Sequence, residues 1–134
     1  MRNHRCIIWV AIVALAIGSC ANFNRNTLQT EYQASVPTCR SEKECKDMWS
    51  AAKFWVLKNA TLKMRIADED LIETYQPYVE IGSQKIAKVW KEPVGADAYK
   101  ILVLVQDCYN LYCSGQNYLS AIEFNRTVKA ASIQ

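Results

Sequence analysis

The residues best suited to chemistry in this chain are its cysteines. There are six of them: Cys6, Cys20, Cys39, Cys45, Cys108 and Cys113. Closely spaced thiols can form disulfides, hold zinc or cycle between redox states, and zinc and redox sites typically use CxxC. The last four cysteines follow the spacings CxxxxxC and CxxxxC instead. We therefore expect the disulfides Cys39–Cys45 and Cys108–Cys113, while cross-pairing among these four cysteines stays open.

The amino terminus has the layout of an export signal. Arg2, His4 and Arg5 precede an apolar run from Ile7 to Ile17, and small residues follow the run. The run is shorter than the ~20 apolar residues that a transmembrane helix needs, which favours cleavage over a retained anchor. An exported chain enters an oxidising compartment, and this supports the expected disulfides.

The tetrapeptide Ile17-Gly18-Ser19-Cys20 resembles the lipobox of bacterial lipoproteins. The resemblance implies that residues 1–19 are a lipoprotein signal peptide and that Cys20 receives acyl chains such as palmitate, with ordinary secretion as the alternative. The residue after this cysteine is Ala21 rather than Asp. By the same resemblance, this implies that the protein is located on the periplasmic side of the outer membrane of a Gram-negative cell. The segment 20–37 is rich in Asn, Thr and Gln, which predicts a flexible tether.

Composition excludes several classes of function. Two of the 16 Lys and Arg but none of the 13 Asp and Glu lie in residues 1–19, which leaves a net charge of +1 for the rest of the chain. Nucleic acid is therefore not expected as a partner, because phosphate binding needs clustered cations. The only histidine is His4. A mature chain without imidazole has no Ser-His-Asp or Cys-His site, and we predict no catalytic residue, cofactor or metal site.

Hydrophobic periodicity predicts a helix at the start of the domain that follows the tether. Ser41 and Glu44 have the capping-box spacing of a helix start. Apolar residues at steps of three and four then continue over residues 42–58. Trp49 and Trp55 belong to this apolar face, so we expect them in the core rather than in a platform for ligand stacking.

A change to two-residue alternation predicts strands after this helix. The expected strands cover residues 62–66, 71–75, 84–91 and 99–105, and a last helix is expected over residues 118–131. The continuously apolar segment 101–105 predicts a central strand. The fold class predicted for residues 38–134 is α+β, with the first helix packed on an antiparallel sheet of about four strands.

Several fragments of this domain resemble those of an uncharacterised family of small proteobacterial exported proteins. The fragments are Trp49, Trp55-Val56, Ile72-Glu73-Thr74-Tyr75, Lys91-Glu92-Pro93, Cys108 with Asn110 and Cys113, and Phe124-Asn125. The resemblance spans nearly the whole domain. It implies the domain boundaries and the pairing of cysteines given above, and it implies no activity.

The hypothesis that these features favour is a non-enzymatic cell-envelope lipoprotein that binds a periplasmic protein or a cell-wall component such as peptidoglycan. A disulfide between Cys108 and Cys113 would enclose Tyr109, Leu111 and Tyr112 in a small ring. Rigid exposed aromatics are common anchors of interfaces, so we predict these three as partner-binding residues. An inhibitor of an envelope-attacking enzyme is a specific form of this hypothesis.

A small glycan hydrolase is the alternative from a different class. Paired carboxylates can serve as acid and base without histidine. Asp70, Glu73 and Glu92 are the candidate carboxylates. Carboxylates on exposed strands are usually only solvated, so the binding hypothesis is favoured.

Overall fold

The computed structural model describes residues 24–78 and 82–133. The predicted signal peptide and the predicted lipidation site, Cys20, lie outside these residues. Residues 24–35 are helical and are called α1. The elements that follow are β1 (Thr38–Cys39), α2 (Glu42–Asn59), β2 (Met64–Ala67), β3 (Leu71–Thr74), β4 (Ser83–Gly95), β5 (Ala98–Tyr109), β6 (Tyr112–Cys113), α3 (Tyr118–Ala130) and a 3-10 turn (Ala131–Ile133).

The predicted α+β class is confirmed. The strands form one antiparallel sheet in the order β1-β5-β4-β3-β2, and β6 pairs with β5 as well. The sheet has six strands rather than about four, because β1 and β6 have two residues each and are too short to show an alternating pattern. Both predicted disulfides, Cys39–Cys45 and Cys108–Cys113, are present.

The start of α2 follows from local hydrogen bonds. Ser41 Oγ accepts a hydrogen bond from the backbone N–H of Glu44, and Glu44 Oε2 accepts one from the N–H of Arg40. These contacts satisfy amide groups that a helix leaves without partners at its first turn. The predicted start at residue 42 is confirmed. Trp49 and Trp55 are both buried, as their place on the apolar face predicts.

The core lies between the sheet and the helices α2 and α3. Ile101, Val103 and Val105 of β5 are buried on this side, and Phe124 of α3 packs edge-on against Trp55 with ring centroids 5.3 Å apart. The central position predicted for β5 is confirmed by its pairing with β1, β4 and β6. Leu102 and Leu104 of β5 lie on the opposite face and are only partly buried, because the helices cover one face of the sheet.

The segment 24–35 differs from the flexible chain that its composition predicts. The Tyr32 hydroxyl donates a hydrogen bond of 3.0 Å to the carbonyl of Val103, and Asn125 Nδ2 donates one of 3.0 Å to Ser35 Oγ. Burial raises the pKa of Tyr32, and its hydrogen bond to Val103 opposes that effect. Composition describes the segment in isolation, whereas these partners come from β5 and α3, far away in sequence.

Beside β5, beyond the two residues that pair with β1, the side chain of Gln116 takes the place of a neighbouring strand. Gln116 Oε1 accepts a hydrogen bond of 2.8 Å from the N–H of Val105, and its Nε2 donates one of 2.9 Å to the carbonyl of Val103. The amide group of Gln116 thus makes the two bonds that a neighbouring strand would make. It covers an edge of β5 that would otherwise leave backbone groups without partners.

We expect Gln116→Ala to lower the free energy of unfolding by about 1–3 kcal/mol, because the N–H of Val105 would lose its partner and the carbonyl of Val103 would keep only its hydrogen bond from Tyr32. Urea unfolding followed by circular dichroism measures this difference. Gln76→Ala is the matched control, since Gln76 is exposed and its loss should cost less than about 0.5 kcal/mol. Equal unfolding midpoints for the two variants would contradict the role assigned to Gln116.

Candidate functional site

The candidate site is a hairpin loop, Tyr109 to Tyr112, that a disulfide closes. Cys108 and Cys113 stand opposite each other in the register of β5 and β6, with a Cα–Cα distance of 3.9 Å. Asn110 lies in the left-handed region, at φ 54°, which Asn tolerates better than most residues. Two turn residues therefore suffice to reverse the chain.

The hairpin loop is also fixed to the neighbouring strand. The N–H of Asn110 donates a hydrogen bond of 2.9 Å to the carbonyl of Gly82, and Asn110 Oδ1 accepts one of 3.1 Å from the N–H of Gly82. The disulfide holds the base of the loop and these two bonds hold its tip. Little conformational entropy remains to be lost when such a loop binds a partner.

The three predicted partner-binding residues are all brought to the surface by this loop. Tyr109 is 68% exposed, Leu111 is 53% exposed and Tyr112 is 85% exposed. Tyr109 and Tyr112 are direct cross-strand partners, so their side chains leave the hairpin on the same side. The loop presents two aromatic rings and a leucine to solvent instead of packing them on the domain.

The three candidate carboxylates each have a different setting. Glu73 forms ion pairs with Arg65 and, at 4.0 Å, with Lys88 on the uncovered face of the sheet. Asp70 pairs at 3.7 Å with Lys91, whose side chain points to the helix-covered face. Glu92 lies exposed on β4.

These settings do not assemble a pair of carboxylates. Glu92 shares the uncovered face with Lys88, the partner of Glu73, but four residues of strand separate them by about 13 Å. A glycosidase needs its two carboxyl groups roughly 5–9.5 Å apart. Asp70 pairs with Lys91, whose side chain lies on the opposite face. The spacing along β4 thus separates Glu73 from Glu92, and Asp70 pairs on the other side of the sheet.

A cleft of about 910 Å³ lies at the start of α2, and sequence reasoning missed it. The Lys91 ammonium lies 4.8 Å from the ring centre of Trp49 and 5.9 Å from that of Tyr99. The indole N–H of Trp49 donates a hydrogen bond of 2.9 Å to the carbonyl of Asp68. Trp49 and Lys91 thereby join α2 to the sheet, and their contacts are those of a structural cluster. No sequence pattern signals this cluster, because Trp49 is 42 positions from Lys91 and 50 from Tyr99 in the chain.

Residues 24–78 and 82–133 contain no group of three or more His, Cys, Asp or Glu side chains that could hold a metal ion. Within the same residues, none of the helices is both long and apolar enough to cross a membrane. Comparison with protein families, with curated proteins and with solved structures finds no match for this chain.

Proposed function

We propose that this chain is a non-enzymatic lipoprotein of the cell envelope that binds another envelope component through its hairpin loop. Lipid on Cys20 would hold it at the periplasmic side of the outer membrane. The observation that carries the binding proposal is the exposure of Tyr109, Leu111 and Tyr112 on a loop fixed by a disulfide and by two hydrogen bonds.

Exposed apolar side chains on a rigid support favour binding for two reasons. Their transfer out of water stabilises a complex by roughly 25 cal/mol for each Å² of apolar surface buried. A fixed loop loses little freedom when it is covered, so most of this gain is retained. Aromatic residues are accordingly enriched at the centres of interfaces.

Other features of the domain support an exported, non-catalytic protein. Its four described cysteines are all paired in disulfides, which persist in oxidising compartments such as the periplasm. Glu73 and Asp70 have cationic partners, which favours a structural role for these two carboxylates. A periplasmic protein or a cell-wall component is the partner that the sequence predicts.

Hydroxyl-radical footprinting tests whether the loop is covered in the envelope, whatever its partner is. We expect Leu111 and Tyr112 to be oxidised several-fold less in isolated envelopes than in the purified protein, because a bound partner excludes solvent from them. Oxidation of each residue is read by mass spectrometry of the digested protein.

Val94 is the matched control for this experiment. It is 47% exposed, close to the 53% of Leu111, and it lies near the end of β4, at the other end of the sheet. Its oxidation should be the same in both samples. Equal oxidation of Leu111 and Tyr112 in the two samples would remove the loop as the binding surface.

A further inference from the structure

The direction of α1 shows where the lipid anchor would leave the domain. Thr38, just after α1, pairs with Lys100 near the start of β5, and Tyr32 contacts Val103 further along that strand. A Cβ added to Gly115 would lie 3.6 Å from Nη2 of Arg25. Followed backwards, α1 therefore runs along β5 toward the hairpin loop.

Gly115 is only two residues beyond Cys113, at the base of the hairpin. We call this end of the sheet the hairpin end, and we call the end with the turn between β4 and β5, at residues 96–97, the far end. Cys20 precedes the first described residue by four positions, which span at most about 14 Å. The described part of the chain thus begins near the hairpin end, a short length of chain after the cysteine that would carry the lipid.

Exposed apolar side chains concentrate at the same end. β4 begins beside Tyr109, so the segment before it, with Tyr75 and Tyr78, approaches this end. The last turn of α2 also lies at the hairpin end. Thr61, which follows α2, donates a backbone hydrogen bond to Lys85, and Lys85 pairs with Asp107, next to the hairpin loop. The large exposed apolar residues here are Leu57, Tyr75, Tyr78, Tyr109, Leu111, Tyr112 and Leu119. Of the other large exposed apolar residues that the structure describes, Val94 lies at the far end, and Phe54 lies on α2 about one turn before Leu57.

Cations are exposed at the hairpin end: Arg25, Lys58 and Lys63 lie at or near it. Asp107 also lies there, and its carboxylate accepts a hydrogen bond from Asn117. The far end carries both signs of charge, since Glu69 and Asp97 line one cleft with Arg40, Lys46 and Lys91, and Glu92 pairs with Lys100 in the register of the sheet. Cations near a bilayer are attracted to anionic headgroups, whereas carboxylates are not.

We propose that the hairpin end is a membrane-contacting surface, and that the envelope component touched by Tyr109, Leu111 and Tyr112 is the lipid bilayer. This inference rests on the lipid anchor of the proposed function and names the partner of the same loop. Tyrosine is enriched at membrane–water interfaces, where its ring lies among headgroups and its hydroxyl stays hydrated. Leu111 at the tip would enter the acyl region.

Contact at this end would orient the domain. The acyl chains of Cys20 and the hairpin loop would form two points of attachment on one side of the molecule. The far end would then point away from the bilayer, toward the periplasm. A tether that merely holds a freely rotating domain would impose no such orientation.

Photo-cross-linking in cells tests this proposal with the full chain in a Gram-negative host. The variants are Tyr112→p-benzoylphenylalanine and, as the matched control, Val94→p-benzoylphenylalanine. Both positions are exposed, so neither change should disturb folding. We expect illumination of the variant at position 112 to give an adduct heavier by one phospholipid molecule. The variant at position 94 should give no such adduct.

The other outcomes are distinct. A protein adduct at position 112 would overturn the membrane proposal and leave the proposed function standing, with a protein as the partner. Equal lipid labelling at positions 112 and 94, or no labelling at either, would also overturn the membrane proposal. An intact mass that shows no acylation of the mature chain would instead overturn the anchor in the proposed function.

Discussion

The Cys20→Ala variant is expected to accumulate as an uncut, unacylated chain that keeps residues 1–19. Lipid attachment requires the thiol, and in the lipoprotein pathway that the lipobox resemblance implies, cleavage before residue 20 follows acylation. At least two acyl chains are needed for stable anchoring, at about 0.8 kcal/mol for each buried methylene. The loss of the acylated mature form should therefore be complete. Intact-mass analysis of purified protein measures it.

Cys6→Ala is the matched control, because this cysteine lies within the segment that the signal peptide would remove. We expect that variant to yield the same acylated mature chain as the wild type. A wild-type chain without acyl groups, or a Cys20→Ala chain cut before residue 20, would contradict lipid anchoring. The second result would favour ordinary secretion.

Phe124→Ala is expected to lower the free energy of unfolding by about 3–5 kcal/mol. The side chain of Phe124 is fully buried between α2 and the sheet, and its ring packs edge-on against Trp55 at 5.3 Å. Alanine would leave a cavity and would remove the aromatic contact. The favourable free energy of moving the ring out of water and the favourable packing of the ring would both be lost. Chemical denaturation with both disulfides intact measures the change.

Leu119→Ala is the control on the same helix. Leu119 is 67% exposed, so its truncation should change the stability by less than about 0.5 kcal/mol. A comparable loss in both variants would mean that α3 is stabilised by helix propensity rather than by its buried face. A loss below about 1 kcal/mol in Phe124→Ala would contradict the core that α2, α3 and the sheet form.

The sequence alone predicts most of the local features of this fold. The start of α2 depends on Ser41 and Glu44, which satisfy amide groups within four residues. Each disulfide joins cysteines only five or six positions apart. The class of the fold follows because the alternation of strands and the period of helices are properties of short segments.

Features that depend on distant partners could not be predicted. Nothing in the composition of residues 24–35 shows that Tyr32 bonds to a residue 71 positions away, so the helix α1 and its contacts are absent from the sequence-based expectation. The role of Gln116 has the same origin, because it depends on where β1 stops pairing with β5. The pairing of Glu73 with Arg65 and Lys88 likewise depends on the register of three strands.

The candidate site shows the same division. Sequence alone determined that Tyr109, Leu111 and Tyr112 lie in a short loop between cysteines, since that follows from spacing. Only the tertiary structure decided that their side chains are exposed and that α1 runs toward the same end of the sheet. Exposure and direction depend on which surfaces pack together, and packing joins residues that the chain holds far apart.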